Sequence, residues 1–328
     1  LGRMHMWTIE CRAISARPLT GYGPGRLSGA YGEAQADYFK RGNRPKIRMR
    51  LAGSPEYAFN EYLRVGVEAG VPAMTLAILA VIYSIVTLLR RNNPVGYGLL
   101  ALSVFAAFSY PLSSPVHCCV LVSMLASASA SLGTPAGRRP AIVNSSLGFI
   151  LASIAAALLY MPYSRKTKEA EQEWITSQGW LQMRRYDLVV NDAAILYPAL
   201  KDDYRFLYDY GRALFESGQY EKSISILQEG TLLSSDPAFH LMTGRNQEAL
   251  GRRELAKEEY LHAHYMTPGR LYPLRLLMAC QLADGDTASA VITARKALGI
   301  PVNEKNLTMH NLHSEIESDL HSLCHEEQ

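Results

Sequence analysis

The sequence repeats itself in three stretches: GQYEKSISIL (residues 218–227), GRRELAKEEY (251–260) and GDTASAVITA (285–294). Each stretch begins with a glycine, passes through a polar turn and enters a helix with small residues on one face. The three glycines are spaced 33 and 34 residues apart, a period that is typical of stacked helical hairpins. The pattern therefore predicts an all-α solenoid over residues 170–325.

The second repeat carries the fullest set of characteristic residues: Gly244, Ala256, Tyr260, Ala263 and Pro268. These resemble the tetratricopeptide signature, in which small residues let paired helices pack closely and proline ends the second helix. The other repeats keep Gly211, Ser223, Leu227 and Gly230, and Ala290, Ala294 and Ala297; a degenerate earlier unit carries Trp174, Tyr186, Ala193 and Pro198. A nonrepetitive helical bundle is the alternative.

A last amphipathic stretch follows Pro301 and covers residues 304–324. Its apolar residues recur at helical spacing, which predicts a capping helix at the end of the solenoid. Solenoids of this kind bury a core shared between hairpins and offer a concave face to partners. The tail therefore predicts a protein partner, although the sequence does not name one.

The charged residues of the chain are unevenly distributed. They make up 19% of it, with a net charge of +3, yet residues 71–89, 92–137 and 140–164 contain no Asp, Glu, Lys or Arg. A soluble globular protein does not segregate its charges in this way, so the sequence excludes a wholly soluble protein. The balanced total charge gives no indication of nucleic-acid binding.

Four apolar segments in this region have the length expected of membrane helices: about 71–89, 95–112, 115–133 and 141–162. Any one of them could be a buried core helix. Four in succession with short polar connectors favour a polytopic membrane domain over residues 71–163. Membrane lipid is then one of the expected partners.

Arginine pairs at positions 90–91 and 138–139 indicate the orientation of this domain. Basic residues concentrate on the cytoplasmic side of a membrane protein, so both pairs are expected there. Residues 1–70 and the C-terminal tail are then expected on the periplasmic side of the cytoplasmic (inner) membrane. The basic residues within 165–168 oppose this orientation.

Residues 1–70 form a hydrophilic segment that is locally basic. Between positions 17 and 64, nine basic residues outnumber four acidic ones. A guanidinium group donates paired hydrogen bonds to phosphate, so Arg17, Arg26 and Arg64 are candidates for binding lipid headgroups or lipid-linked pyrophosphates. The alternative is a solvated loop with arginines at the membrane interface.

Two short motifs follow within this segment. The glycine-rich run over 21–25 has no Lys-Ser/Thr after it, so it indicates a tight turn rather than a nucleotide site. Tyr31, Gln35 and Tyr38 share one helix face. Aromatic rings and an amide on one face can bind a sugar, or they can pack the loop onto the membrane domain.

The segment ends in a helix that is expected to enter the membrane, with Asn60, Glu61 and Arg64 at its outer end. Polar groups near this boundary are costly unless they are paired or functional. Glu61 could act as a general base towards an acceptor hydroxyl. It could equally pair with Arg64 three residues later on the same helix.

Four motifs, taken in order, resemble the large external loop of the O-antigen ligase/polymerase family. They are Gly2-Arg3-x-x-x-Trp7, RPLTGYGPG (17–25), Tyr31-x-x-x-Gln35-x-x-Tyr38 and AFNEYLRVGVEAG (58–70). The wider group includes oligosaccharyltransferases that move lipid-linked glycans onto lipid or protein. The version with a tetratricopeptide tail resembles a branch of the family in Bacteroidota.

The resemblance implies a transfer of a glycan from an undecaprenyl-pyrophosphate carrier to lipid A-core, a growing polymer or a protein. It implies no metal and no cofactor. Arg3 matches the family's arginine before the loop, which implies that it stabilises the leaving pyrophosphate. Glu61 is the candidate base, because Phe59 stands where many members carry histidine. The implied substrate-binding residues are Arg17, Arg26, Tyr31, Gln35, Asn60 and Arg64.

The chain also departs from the family. It has four expected membrane segments where members have many more, it begins at Leu1, and it lacks a signal-peptide pattern. We therefore expect a C-terminal fragment of a glycan transferase that is inactive alone. The alternative is a membrane-anchored tetratricopeptide scaffold that binds proteins without catalysis.

Overall fold

A computed structural model describes residues 2–42, 44–132, 165–301 and 307–326. No strand occurs among these residues, which confirms the all-α class. The helices are α1 (Gly2–Ala16), α2 (Leu27–Lys40), α3 (Lys46–Leu51), α4 (Glu61–Arg90), α5 (Val95–Phe108), α6 (Pro115–Leu132), α7 (165–182), α8 (Tyr186–Leu200), α9 (Tyr204–Glu216), α10 (Tyr220–Thr231), α11 (Ala238–Ala249), α12 (Arg253–Met266), α13 (Tyr272–Ala283), α14 (Thr287–Leu298) and α15 (Leu307–Glu326).

The helices belong to two compact units. The repeat unit comprises the described residues of Leu1–His5, Ser28–Glu56 and Ala170–Gln328. The apolar unit comprises the described residues of Met6–Leu27 and Tyr57–Glu169. Residues 1–70, which the sequence pattern groups as one segment, are therefore divided between the two units.

The turns between paired helices of the repeat unit keep a constant geometry. Gly218, Gly251 and Gly285 have φ angles of 76°, 75° and 77°. In each turn the glycine N–H donates to the carbonyl three residues earlier, and the next N–H donates to the carbonyl five residues earlier. Such turns require a left-handed residue, for which glycine is best suited. Arg184, with φ 56°, forms the same hydrogen bonds and places the degenerate first unit in register.

Small residues let the paired helices approach each other, as the sequence predicts. A Cβ atom on Gly211 would lie 2.6 Å from Cδ2 of Leu227, and one on Gly244 would overlap the ring of Tyr260. Ala256 is fully buried. From α8 to α15 each helix packs against the next, so the predicted stack of helical hairpins is confirmed.

The predicted capping helix is present as α15. Ile316 is 1% exposed and packs in the core cluster formed by α12, α13 and α14, with Leu312 and Leu320 partly buried beside it. Leu307 at the start of the helix is exposed. The apolar face of α15 therefore covers the end of the stack from Met309 onwards.

Residues 28–56 pack against the repeats within the same unit. The Ser54 hydroxyl donates to the backbone carbonyl of Ser235 over 2.9 Å. The backbone N–H of Ser235 donates to the Ser28 hydroxyl over 3.1 Å. A Cβ atom on Gly29 would overlap the backbone of Leu232. This segment is thus an integral part of the repeat unit.

The apolar unit is built around α4, α5 and α6, which pack against one another. Leu88 and Leu99 are fully buried in the cluster that these helices share. Helix α4 is bent at Gly70, where φ is 84° and ψ is 172°, so the part before the bend forms a separate helical segment. The glycine-rich run 21–25 forms the expected turn, since Gly21, Gly23 and Gly25 all have positive φ.

The expectation of about four membrane spans is not confirmed. In the described part of the chain only α4 is long and apolar enough to cross a membrane, by length and composition alone. Helix α5 has 14 residues, or roughly 21 Å, whereas the hydrocarbon core is about 30 Å thick. Helix α6 is described over 18 residues, up to Leu132, where this described part of the chain ends. The fourth segment, 141–162, lies outside the described residues.

Candidate functional site

The site residues predicted from the sequence are divided between the two units. Arg3, Tyr31 and Gln35 belong to the repeat unit, and Arg17, Arg26, Asn60, Glu61 and Arg64 belong to the apolar unit. Their roles in catalysis and substrate binding stay predictions.

Glu61 is buried at the start of α4, with 4% of its surface exposed. Its Oε1 accepts a hydrogen bond of 2.8 Å from the Leu112 backbone N–H, and its Oε2 lies 3.4 Å from the Arg64 guanidinium. Arg64 also lies 3.6 Å from Glu68. Both Glu61 oxygens therefore have partners, and the pairing with Arg64 that the sequence left as an alternative is present.

Asn60 is the N-cap of α4. Its side-chain oxygen accepts from the N–H groups of Tyr62 and Leu63 at 3.0 and 3.1 Å, which satisfies two donors at the helix start. Arg17 and Arg26 are exposed, and the Arg17 guanidinium lies 4.6 Å from the centre of the Tyr22 ring. These two arginines are accessible to solvent, as an anion-binding role requires.

Tyr31 and Gln35 are buried, with 2% and 1% of their surface exposed. The Tyr31 hydroxyl donates to Gln35 Oε1 over 2.9 Å. Gln35 Nε2 donates to the carbonyls of Gly53 (3.0 Å) and Met266 (2.6 Å). The amide is fully engaged within the protein, so this helix face packs inside the repeat unit. Arg3, in the first turn of α1, is exposed.

The repeat unit also contains a cavity of about 580 Å³. Its walls are formed by α7, α9 and α11, the first helices of three successive hairpins, and by the turns before α9 and α11. The lining residues are Glu171, Trp174, Ile175 and Gln178; Asp203, Tyr204, Arg205, Tyr208 and Asp209; and Asp236, Ala238 and Phe239. The lining combines aromatic rings with four carboxylates and a single cation. This arrangement suits a ligand with both apolar and positively charged groups.

Three of the five charged side chains that line this cavity, Asp203, Arg205 and Asp209, form hydrogen bonds or ion pairs within the protein. Asp203 caps α9 by accepting from the Arg205 N–H over 2.8 Å, and the Arg205 guanidinium lies 3.1 Å from the same carboxylate. Asp209 is partly buried and accepts from Gln178 Nε2 over 3.2 Å. Burial raises the pKa of Asp209, although the hydrogen bond from Gln178 lowers it in part.

A second cluster in the repeat unit combines one carboxylate with two imidazoles. Glu33 on α2, His240 on α11 and His262 on α12 have potential ligand atoms within 4.8 Å of one another. Burial lowers the pKa of His240, but the carboxylates of Glu259 and Glu33 outweigh burial and raise it to about 9. The three residues could hold a metal ion, whereas the sequence predicted no metal site.

The sequence reasoning missed both the cavity and this cluster. Two of the four acidic residues of the cavity, Asp203 and Asp236, precede helices, where the sequence suggests ordinary N-terminal capping residues. His240 and His262 lie on two different helices, without the short spacings that identify zinc motifs. The repeat period could have indicated the cavity, because it places the first helix of each hairpin, here α7, α9 and α11, side by side on one face of the stack.

The known proteins that resemble this chain are similar to it only distantly. No known protein family matches this chain, and no curated protein matches it. One similar solved structure is the Yersinia enterocolitica type III secretion chaperone SycD in complex with a peptide of the translocator YopD, with 23% identity, a TM-score of 0.34 and coverage of 37% of this chain and 92% of that chain. A second is the type III secretion translocator chaperone SycD of Yersinia enterocolitica, with 22% identity, a TM-score of 0.34 and coverage of 40% of this chain and 86% of that chain. A third is the MamA RS-1 ArsTM double mutant, with 15% identity, a TM-score of 0.37 and coverage of 48% of this chain and 96% of that chain. No comparison supports the resemblance to the O-antigen ligase/polymerase family.

Proposed function

We propose that the repeat unit is a protein-interaction scaffold that binds a segment of another protein carrying basic and apolar side chains. The observation that carries this proposal is the cavity of about 580 Å³ lined by α7, α9 and α11. Stacked helical repeats use such surfaces, built from equivalent positions of successive units, to bind extended partners.

The charges of the cavity favour a basic partner. Four carboxylates line it against one guanidinium, and that guanidinium is paired with Asp203. Ionised Asp209 is destabilised by burial, and a lysine or arginine of the partner would recover part of this free energy. Positive side chains are therefore expected opposite Asp209 and Glu171.

The aromatic residues provide the apolar part of the contact. Ile175 is 63% exposed on α7, and Trp174 and Tyr208 are partly exposed beside it. Tyr204 is held in place because its hydroxyl donates to Glu56 over 2.7 Å. Rigid aromatic side chains lose little entropy on binding and dominate the energetics of many interfaces.

The test is selection of binding peptides from a random phage library on the detergent-solubilised full chain. Selected peptides are expected to combine Lys or Arg with apolar residues. Fluorescence anisotropy should then show that Asp209→Asn weakens binding of the best peptide about tenfold, equivalent to about 1.4 kcal/mol. Tyr208→Ala should weaken it as well, because it removes the aromatic contact.

Glu221→Gln is the matched control, because Glu221 is an exposed carboxylate on α10 that pairs with Arg252 outside the cavity. It should leave affinity unchanged. Enrichment of acidic peptides would contradict the proposal, and so would unchanged affinity in both cavity variants.

The scaffold is further proposed to be anchored in a membrane by the apolar unit. Helix α4 has 30 residues, and only 22% of its most apolar 18-residue stretch is buried inside the protein. Leu76, Leu79, Ile82 and Tyr83 are each more than half exposed. Soluble proteins seldom expose a contiguous apolar surface of this kind, whereas lipid would cover it.

Extraction of membranes with alkaline carbonate tests the anchor. The wild-type chain should remain in the membrane fraction. Leu79→Lys, near the middle of the apolar stretch, should release part of the protein because a central lysine costs about 2.5–3.5 kcal/mol on insertion. The control Leu255→Lys changes an exposed leucine of α12 and should have no effect; release of the wild-type protein would contradict the anchor.

Transfer of a lipid-linked glycan stays a prediction from the sequence motifs. Its test is replacement of Arg3 and Glu61 by alanine, followed by measurement of glycan transfer. Normal transfer by both variants would eliminate the site assignment.

A further inference from the structure

Glu33, His240 and His262 bring three metal-binding groups together from distant parts of the sequence. His262 Nε2 lies 3.3 Å from Glu33 Oε1, and His240 Nε2 lies 3.6 Å from the same oxygen. Donor atoms about 2.0–2.1 Å from a tetrahedral zinc ion are roughly 3.3–3.4 Å apart. The two separations from Glu33 are thus close to those of a zinc site, and the ligand atoms of the two histidines lie within 4.8 Å of each other.

His240 is oriented as a metal-binding histidine would be. Its Nδ1 lies 2.7 Å from Glu259 Oε2, the carboxylate–histidine contact that commonly fixes the tautomer of a ligating imidazole. Its Nε2 is buried, and the Glu33 carboxylate 3.6 Å away is slightly too far to form a hydrogen bond with it. A buried polar nitrogen without a hydrogen bond is costly, and a metal ion on that nitrogen would remove the cost.

The two imidazoles face each other closely, with ring centres 4.4 Å apart. Glu33 and His262 retain 51% and 32% exposure of their side chains, so water can reach the cluster from solvent. Two histidines and one glutamate with a water molecule in the fourth position form a well-attested ligand set for zinc.

We propose that Glu33, His240 and His262 bind one Zn²⁺ ion, with Glu259 positioning His240. The ion would join α2, which is contributed by the N-terminal segment, to the hairpin α11–α12 of the repeats. Because the ligands come from opposite halves of the sequence, the ion would cross-link the segment 28–56 to the solenoid within one unit. Zinc binding is therefore expected to stabilise the folded repeat unit.

The test uses the full chain in detergent, purified with a histidine-free tag and treated with a chelator. Calorimetric titration with ZnCl₂ should show one ion bound per chain. Co²⁺ should give the strong visible absorption of a tetrahedral complex. Zn²⁺ should also raise the thermal unfolding midpoint of the wild-type chain, and it should raise that of Glu33→Gln by less at the same Zn²⁺ concentration.

Three variants locate the site. Glu33→Gln and His262→Asn should each weaken Zn²⁺ binding at least tenfold, because each removes one ligand. Glu259→Gln should weaken it about 10–100-fold and shift the Co²⁺ spectrum while a complex still forms. Glu33 is half exposed, so Glu33→Gln remains a valid test even if His262→Asn fails to fold.

The matched control is His310→Ala/His313→Ala, which removes a pair of histidines on α15 that do not belong to the cluster. Its affinity for Zn²⁺ should equal that of the wild type. Absence of Zn²⁺ binding to the wild-type chain would overturn the proposal and leave the cluster as an ion-pair network. Binding that is lost in the control, or kept in both ligand variants, would overturn it equally.

Discussion

Gly21 and Gly70 hold two backbone segments of the apolar unit against each other, and neither position has room for a side chain. A Cβ atom on Gly21 would lie 2.5 Å from the carbonyl carbon of Glu68. One on Gly70 would lie 2.5 Å from the carbonyl oxygen of Leu19. Both glycines also have positive φ, at 65° and 84°. The turn before α2 and the bend of α4 are therefore one structural feature.

The contact replaces helical hydrogen bonds that the bend at Gly70 breaks. The Tyr22 N–H donates to the Val67 carbonyl over 2.9 Å, and the Val71 N–H donates to the Pro18 carbonyl over 2.7 Å. Each segment thus supplies partners that the other lacks. Backbone groups in an apolar environment are costly without such partners.

Gly21→Ala and Gly70→Ala are each expected to destabilise this contact. The added methyl group would contact backbone atoms, which typically costs about 1–3 kcal/mol, and a backbone with positive φ adds about 1–3 kcal/mol for a residue other than glycine. Hydrogen exchange measured on peptides containing Tyr22 and Val71 should become faster in both variants.

Gly25→Ala separates these two effects. Gly25 has φ 73°, but no atom lies within 4 Å of the position that an added methyl group would take, so only the conformational cost applies. Exchange in Gly25→Ala should lie between wild type and Gly21→Ala. If Gly21→Ala exchanged no faster than Gly25→Ala, steric exclusion at Gly21 would be disproved.

Gln35→Glu is expected to destabilise the repeat unit although it preserves the shape of the side chain. It replaces the Nε2 donor by an oxygen that would face the carbonyls of Gly53 and Met266. A carboxyl group at this position has one donor when protonated and none when ionised. The variant therefore loses one or two hydrogen bonds and places oxygen acceptors opposite each other, at about 1–3 kcal/mol for each unsatisfied group. Thermal unfolding of the full chain measures the effect.

Tyr31→Phe perturbs the same buried hydrogen-bond network and is expected to destabilise the repeat unit less than Gln35→Glu. It removes one hydroxyl, which donates to Gln35, and should cost about 1 kcal/mol. Equal midpoints for wild type and Gln35→Glu would show that the buried network does not stabilise the unit.

The repeat register could be predicted from the sequence because the turns depend on one backbone property. A left-handed residue is needed at a fixed place in each turn, and glycine marks that place at 218, 251 and 285. The glycine pattern does not mark the turn between α7 and α8, because Arg184, and not glycine, adopts the left-handed conformation there. Local geometry of this kind leaves a periodic trace in the sequence.

No periodic pattern in the sequence predicts the packing of Gln35 or the cluster formed by Glu33, His240 and His262. Both depend on contacts between α2 and repeats that lie far along the sequence. The spacing of Tyr31 and Gln35 correctly indicated one helix face, but spacing alone does not tell what covers that face. The second membrane segment predicted from composition is not confirmed as a span for a related reason, since apolar composition persists beyond the end of a helix, as at Phe108 in α5.

Glu10 makes the stability of the apolar unit depend on pH. Burial raises its pKa to about 8 from 4.5, and its Oε2 has no hydrogen-bond partner among the described residues. The folded state therefore keeps a proton that the unfolded state loses above pH 4.5. Between about pH 4.5 and 8 the free energy of unfolding should fall by about 1.4 kcal/mol per pH unit from this group.

Glu10→Gln should remove that dependence. The variant is expected to be more stable than wild type at neutral pH, with the difference in unfolding midpoint growing from pH 5 to pH 8. The exposed Glu221→Gln serves as control and should track the wild type. A constant difference across this range would contradict the assigned protonation of Glu10.

Arg184 and Gly218 occupy equivalent turns of successive hairpins, which allows a reciprocal exchange. Arg184 is exposed and has φ 56°, so Arg184→Gly should relieve left-handed strain. The net gain is about 0.5–1 kcal/mol, because glycine also loses more entropy on folding. Gly218→Arg should destabilise by a similar amount, since no atom lies within 4 Å of the position that its Cβ would take and only backbone strain is added. Thermal unfolding midpoints of the two variants should therefore move in opposite directions, and a lower midpoint for Arg184→Gly would refute the equivalence of the two turns.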